Sequence, residues 1–289
     1  MIHSDGRFKG ARDTCIAYQV WLPKGEVKAA ILLVHGLGEH SGRYKNLINH
    51  LIPLGYAVYA VDHMGHGKSD GVRKHIKTFS DFSDTLDIFL ERVKEWHGSG
   101  QLFMLGHSMG GLIAAHYLLQ NQHHFSGAIL SAPALKISDT VPRSTILLGK
   151  FLAAVLPKYG IIPINPDKVS RDPVVVQAYL DDPLIHKGHT SARLASELVK
   201  AMLRVQNGAA TINLPVLILQ GSEDAIVNPD GAQGFFDVVG SADKTIKLYD
   251  GLYHEVFNEP EKDQVFADVE QWLAAHLEVH GKLVSMASG

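Results

Sequence analysis

The chain has 289 residues, 46% of them hydrophobic, and 27 basic against 30 acidic residues give it a formal net charge of −3. That is enough apolar material for one large core, and the charges are interspersed, so no basic field exists to hold a nucleic-acid backbone. A single cysteine excludes an internal disulfide and fits a reducing compartment.

The N-terminal Met1-Ile2-His3-Ser4-Asp5-Gly6-Arg7 lacks the apolar core of a secretory signal, and no uncharged run reaches the 18 or so residues of a spanning helix, so a cytoplasmic location is expected. Cys15 lies in the strand-like Thr14-Cys15-Ile16-Ala17-Tyr18 and reads as a buried structural thiol. Short apolar runs at 15–21, 30–34, 57–61, 102–105, 128–130, 216–219 and 245–249 alternate with helical patterns, which predicts an α/β fold with a mostly parallel central sheet flanked by helices. Over 82–96 the recurrence of Phe82, Leu86, Phe89, Val93 and Trp96 predicts one helix with a single buried stripe. A final helix is expected over 260–276, with roughly the last nine residues frayed.

One interval breaks the alternation. About 80 residues separate the strand ending near Ser131 from the one starting near Pro215, where a crossover helix needs roughly 10–15. We therefore expect a core of residues 1–134 and 212–289, with residues 135–211 forming a helical cap inserted between the sixth and seventh strands of the fold. Its apolar residues, among them Ile146, Leu147, Phe151 and Leu152, suit a lid over an apolar site as well as an ordinary helical subdomain. Lys150, Pro157 and Lys158 interrupt them, which excludes a membrane span here.

Gly106-His107-Ser108-Met109-Gly110 is a G-x-S-x-G match, which composition alone produces often enough to mean little. Its surroundings give it weight. Leu102-Phe103-Met104-Leu105 before it and Leu112-Ile113-Ala114-Ala115 after it make the strand, tight turn and helix of a nucleophile elbow. A side chain at Gly106 or Gly110 would strike the neighbouring helix or strand, and Ser108 would take a strained backbone at the turn. The Met109 N–H then opens a helix, where an unpaired donor can meet a developing oxyanion. The second donor is expected from Leu37 in the glycine-rich His35-Gly36-Leu37-Gly38-Glu39-His40.

A serine hydroxyl needs a base within reach and an acid to orient that base. Asp224 closes the turn after the strand at 216–219. Of 17 histidines, only His254 follows the last strand in a glycine-containing loop before the final helix. Serine, acid, histidine is the chain order of α/β-hydrolases. Glu223 is the rival acid. Asp62-His63-Met64-Gly65-His66-Gly67 contains metal-ligand residue types, but without a second compact ligand set it reads as a polar turn. No phosphate loop or dinucleotide fingerprint is present, so neither a metal nor a cofactor is expected.

His35-Gly36-Leu37-Gly38-Glu39-His40-Ser41-Gly42-Arg43-Tyr44 together with Gly106-His107-Ser108-Met109-Gly110-Gly111 closely resembles the monoacylglycerol lipases. The resemblance continues through Asp62-His63-Met64-Gly65-His66-Gly67-Lys68-Ser69-Asp70-Gly71, Tyr179-Leu180-Asp181-Asp182-Pro183-Leu184, Gln220-Gly221-Ser222-Glu223-Asp224 and Tyr253-His254-Glu255. It implies an α/β-hydrolase fold and hydrolysis of a monoacylglycerol to glycerol and a fatty acid by Ser108, Asp224 and His254. Leu37 and Met109 would be the oxyanion donors, and Glu39, Arg43, His107 and Tyr179 would hold the glycerol end. An alternative reading of Glu39 and Arg43 is a structural ion pair.

A lipid ester suits the apolar insert independently, since each buried CH₂ contributes roughly 0.8 kcal/mol. Helices flanked by Lys150 and Lys158 could also rest transiently on a membrane surface. The sequence assigns no oligomeric state. A lysophospholipase or a broad carboxylesterase would use the same triad, and a non-enzymatic binding module would have no need of it.

Overall fold

The computed structural model describes residues 1–137 and 141–286. In chain order its elements begin with β1 (Ile2–Lys9), β2 (Cys15–Leu22), β3 (Ala29–Val34), α1 (Lys45–Leu51), β4 (Tyr56–Val61), α2 (Ser80–His97), β5 (Leu102–His107), α3 (Met109–Asn121) and β6 (Gly127–Ser131). The segment before the next sheet strand folds as α4 (Arg143–Val155), β7 (Gly160–Ile162), α5 (Pro173–Asp181), β8 (Thr190–Ser191) and α6 (Ala192–Gly208). The chain closes with β9 (Val216–Gly221), α7 (Asp230–Val238), β10 (Lys244–Tyr249) and α8 (Lys262–Met286).

Among the described residues the main sheet has the order β1-β2-β4-β3-β5-β6-β9-β10. From β4 onward it is parallel, because each link is a crossover carrying a helix. Such strands are covered on both faces, and every residue of β3, β4, β5, β6 and β9 is buried. Alternate residues serve two cores. Ala30, Leu32 and Val34 join Phe82, Leu86 and Ile113 on one face, whereas Ile31 and Leu33 join Leu47, Val269 and Leu273 on the other.

Four features depart from expectation. Strand β1 has no apolar alternation to announce it: of its eight residues only Phe8 is buried, and its place in the sheet comes from antiparallel pairing with β2, Ile2 opposite Leu22 through Lys9 opposite Cys15. Trp96 ends the α2 stripe at 43% exposure, its ring packing on Tyr18, Tyr59 and Phe89 at the border of the core. The expected C-terminal fraying is corrected too, since α8 continues to Met286; residues 287–289 lie outside the described residues. Cys15, expected as a buried thiol, is only half-buried, because it pairs with Lys9 of the edge strand and its Sγ lies near Arg7.

Helix α6 anchors the insert. Its buried face, including Leu194, Ala201 and Val205, joins the core that also contains α3, and Ser191 caps its start by accepting from the Leu194 N–H at 3.2 Å. Helix α4 presents a different surface, with Leu147, Leu148, Phe151 and Val155 all more than half exposed.

Candidate active site

Ser108 lies between the last residue of β5 and the first of α3, with φ 56° and ψ −121°. A non-glycine residue in this region costs about 1–3 kcal/mol. Three bonds hold it there: the Ser108 N–H donates to Ser131 O at 2.9 Å, and its carbonyl accepts from Ala134 at 3.0 Å and Leu112 at 3.1 Å. The flanking glycines are sterically required. A Cβ on Gly106 would collide with the Gly110 carbonyl, and one on Gly110 with the Val34 carbonyl, so α3 can pack against β3 and β5 only without them.

The turn after β9 presents Asp224. Its Oδ1 accepts from the N–H groups of Ile226 at 2.8 Å and Val227 at 3.0 Å, and its Oδ2 accepts from His254 Nδ1 at 2.7 Å and Gln220 Nε2 at 3.1 Å. Burial alone would raise the Asp224 pKa, but His254 and these donors hold it below its ordinary value. Burial likewise disfavours charge on His254. Asp224 outweighs that effect, with help from Glu255 and Glu39, and lifts the imidazole above its ordinary 6.5. Glu223, the rival acid, is exposed. Gln220 has no sequence signal of this role: it is one amide on an otherwise apolar strand, and fully buried there.

A cavity of about 430 Å³ brings these groups together: Ser108, His254, Leu37 and Met109 all line it. Among the described residues the Leu37 and Met109 N–H groups donate to no acceptor of the chain, and Met109, first in α3, has no helical carbonyl to receive its proton. Apolar side chains of the insert, including Ile162, Ile164, Leu198, Val199 and Met202, cover much of the remaining wall. A hydroxyl, a carboxylate-paired imidazole and unpaired amide donors around one apolar space can carry out acyl transfer.

Glu39, His107, Tyr179 and Glu255 form a polar part of that wall. The His107 ring packs tilted against that of His254, with centroids 4.7 Å apart, and shares a hydrogen bond with Ser131 Oγ at 3.1 Å; burial, then the neighbouring imidazole, push it far toward the neutral form. Arg43 sits behind this wall and does not line the cavity. Its Nη2 donates to both oxygens of Glu255, at 2.6 and 2.9 Å, whereas Glu39 Oε2 is 3.6 Å from Nε. The expected Glu39–Arg43 pair is therefore the looser half of a buried acid–base–acid cluster. Its tighter member, Glu255, has no sequence spacing that points to Arg43. Asp62 binds Ser41 and the Lys68 N–H as a loop-tying carboxylate, in keeping with a polar turn.

The family model described as "Serine aminopeptidase, S33" matches residues 25–261. A monoacylglycerol lipase of Mycolicibacterium smegmatis is 36% identical over 95% of this chain and 98% of its own. The human monoglyceride lipase is 35% identical over 95% of this chain and 89% of its own. The chain belongs to the monoacylglycerol lipase family. Among solved structures, the monoacylglycerol lipase of Paleococcus ferrophilus superposes with a TM-score of 0.80 at 33% identity, covering 96% of this chain and 100% of that one. The α/β-hydrolase fold and the class of carboxylic ester hydrolase come with that membership. Among the described residues no helix is long and apolar enough to cross a membrane.

Proposed function

We propose that this chain hydrolyses monoacylglycerols to glycerol and a free fatty acid through an acyl-enzyme on Ser108. The observation that carries the reading is one cavity holding an elbow serine, an Asp224-paired histidine and an apolar wall contributed by the insert. His254 takes the Ser108 proton as Oγ attacks the ester carbonyl, and the Leu37 and Met109 N–H groups stabilise the oxyanion. The tetrahedral species collapses as His254 protonates the departing glycerol oxygen. Water, deprotonated by His254, then releases the fatty acid and restores Ser108. Asp224 holds the imidazole with its proton on Nδ1 throughout. Glu39, His107 and Tyr179 offer polar contacts for the glycerol hydroxyls, with Arg43 acting from behind them.

Turnover of a monoacylglycerol, a diacylglycerol, a lysophospholipid and an aryl ester, compared over acyl lengths, tests the substrate class. The monoacylglycerol should have the highest kcat/KM. Turnover of the aryl ester alone would overturn the reading, and preference for the lysophospholipid would move the leaving group to a phosphorylated glycerol.

Because His254 must be neutral to act as base and its pKa lies above 6.5, kcat/KM should fall on the acid side with a midpoint above pH 6.5. A pH–rate profile flat down to pH 6 would contradict that electrostatic arrangement. The same raised pKa contributes stability below the unfolded value, and the contribution is lost as pH rises through the folded one.

Residues 135–211 act in this reading as a cap, and the apolar face of α4 as its membrane contact. Phe151 is 62% exposed, so Phe151→Asp should weaken co-sedimentation with phospholipid vesicles while leaving hydrolysis of a soluble aryl ester unchanged. Equal sedimentation of variant and wild type would remove the membrane role. The chain would then act on substrate that reaches it through the aqueous phase, with no association through α4.

A further inference from the structure

We propose that His35 is a positioning residue of the oxyanion hole, its Nδ1–H holding the carbonyl end of the Gly36–Leu37 peptide whose other end is the Leu37 N–H. The inference rests on the reading of that N–H as an oxyanion donor and adds the group that aims it.

The proton position follows from a partner with no ambiguity. The His63 backbone N–H can only donate, and it lies 2.9 Å from His35 Nε2, so Nε2 must accept and the ring proton must sit on Nδ1. Nδ1–H then donates to Gly36 O at 2.8 Å. In a trans peptide the C=O and the following N–H point in opposite directions, so fixing Gly36 O against His35 turns the Leu37 N–H away from that ring. Leu37 lines the cavity beside Ser108.

The same residue is held from its other side. The Gly36 N–H donates to Glu39 Oε1 at 2.6 Å, and a Cβ at Gly36 would lie 2.8 Å from that oxygen and 3.1 Å from Ser108 Cβ. Gly36 is therefore clamped through both of its polar atoms immediately before Leu37. The clamp is itself rigid: His35 is fully buried, with the rings of His63 at 4.3 Å and His66 at 5.5 Å. Burial, in spite of the nearby Asp62 carboxylate, pulls its pKa down to about 4, which keeps Nε2 an acceptor at neutral pH.

A histidine that only filled the core would be replaceable by any side chain of similar size, whereas a positioning role depends on which nitrogen is kept. Asn carries a donor where Nδ1 sits, and Gln carries its amide where Nε2 sits. His35→Asn and His35→Gln are to be compared for kcat and KM on a monoacylglycerol, with Tm measured for each. His35→Asn should retain kcat within about tenfold, and His35→Gln should lose about 10²–10³-fold with KM little changed, the loss typical of one oxyanion donor. Equal kcat losses in the two variants, or losses confined to KM, would overturn the proposal. Should neither variant fold, neutron diffraction of the wild-type protein reads the proton directly, and hydrogen on Nε2 would overturn it. Failure of the underlying reading looks different: the wild type itself would then show no Ser108-dependent ester hydrolysis.

Discussion

Ser108→Ala is expected to lower kcat for ester hydrolysis by about six orders of magnitude while substrate binding changes little. Oγ is the atom that forms the bond to the acyl group, and no neighbouring side chain can replace it from the same position at the elbow. Alanine has nearly the same volume and meets the same backbone strain at φ 56°, so the turn should keep its shape. His254 and Asp224 stay paired at 2.7 Å, and the Leu37 and Met109 donors stay unoccupied. A residual rate of about 10³–10⁴ over the uncatalysed reaction is expected from those donors and from binding alone. The measurement is fatty-acid release together with labelling by a serine-directed fluorophosphonate. Retention of more than about a hundredth of wild-type turnover, or labelling of the variant at an undiminished rate, would move the nucleophile elsewhere.

The parts of the fold that could be read beforehand are those where burial leaves a periodic trace. Strands β3 to β6 and β9 are covered on both faces, so each is a short continuous apolar run. Strand β1 lies at the sheet edge with Phe8 as its one buried residue, and the two strands of the insert are three and two residues long. Neither can show a period. Trp96 matches the helical spacing and its ring meets Tyr18, Tyr59 and Phe89, but it stands in the last turn of α2 and stays 43% exposed at the border of the core.

The site divides along a similar line. Ser108, Asp224 and His254 each follow a strand in a recognisable turn, and their chain order carries information. Gln220 and Glu255 do not advertise themselves: one is an amide on a buried strand, and the other meets Arg43 across 212 positions of sequence. Chain distance of that size carries no local pattern, so only the packing of the Arg43 segment against the loop after β10 reveals the contact. His35 was legible as part of a motif. That its ring nitrogen binds the next residue's carbonyl could be seen only once the ring was placed.

The cluster around Arg43 carries the largest expected effect on stability, because Arg43→Met should cost the folded state about 3–5 kcal/mol. The Arg43 side chain is 8% exposed, and those of Glu39 and Glu255 are 7% each, so all three charges have left bulk water. Methionine keeps most of the aliphatic volume and its packing on Tyr179, whose ring centroid is 5.0 Å from the guanidinium carbon. What is lost is the positive charge between two carboxylates. Burial and the charge of Glu255 already push the Glu39 pKa upward, and Arg43 opposes them. Without the guanidinium the Glu39 carboxyl should titrate higher still in the folded protein than in the unfolded chain. A raised folded pKa means that the folded state binds more protons, so stability is lost as pH rises through that range. The deficit of Arg43→Met relative to wild type should therefore be largest near pH 8 and shrink toward pH 5. Arg43→Lys should recover only part of it, since an ammonium cannot reproduce the contact of one guanidinium nitrogen with both Glu255 oxygens while Nε faces Glu39. Urea unfolding of the three proteins at both pH values measures this. A deficit below about 1 kcal/mol at pH 8, or one that grows on acidification, would show that the cluster is screened as a surface pair would be.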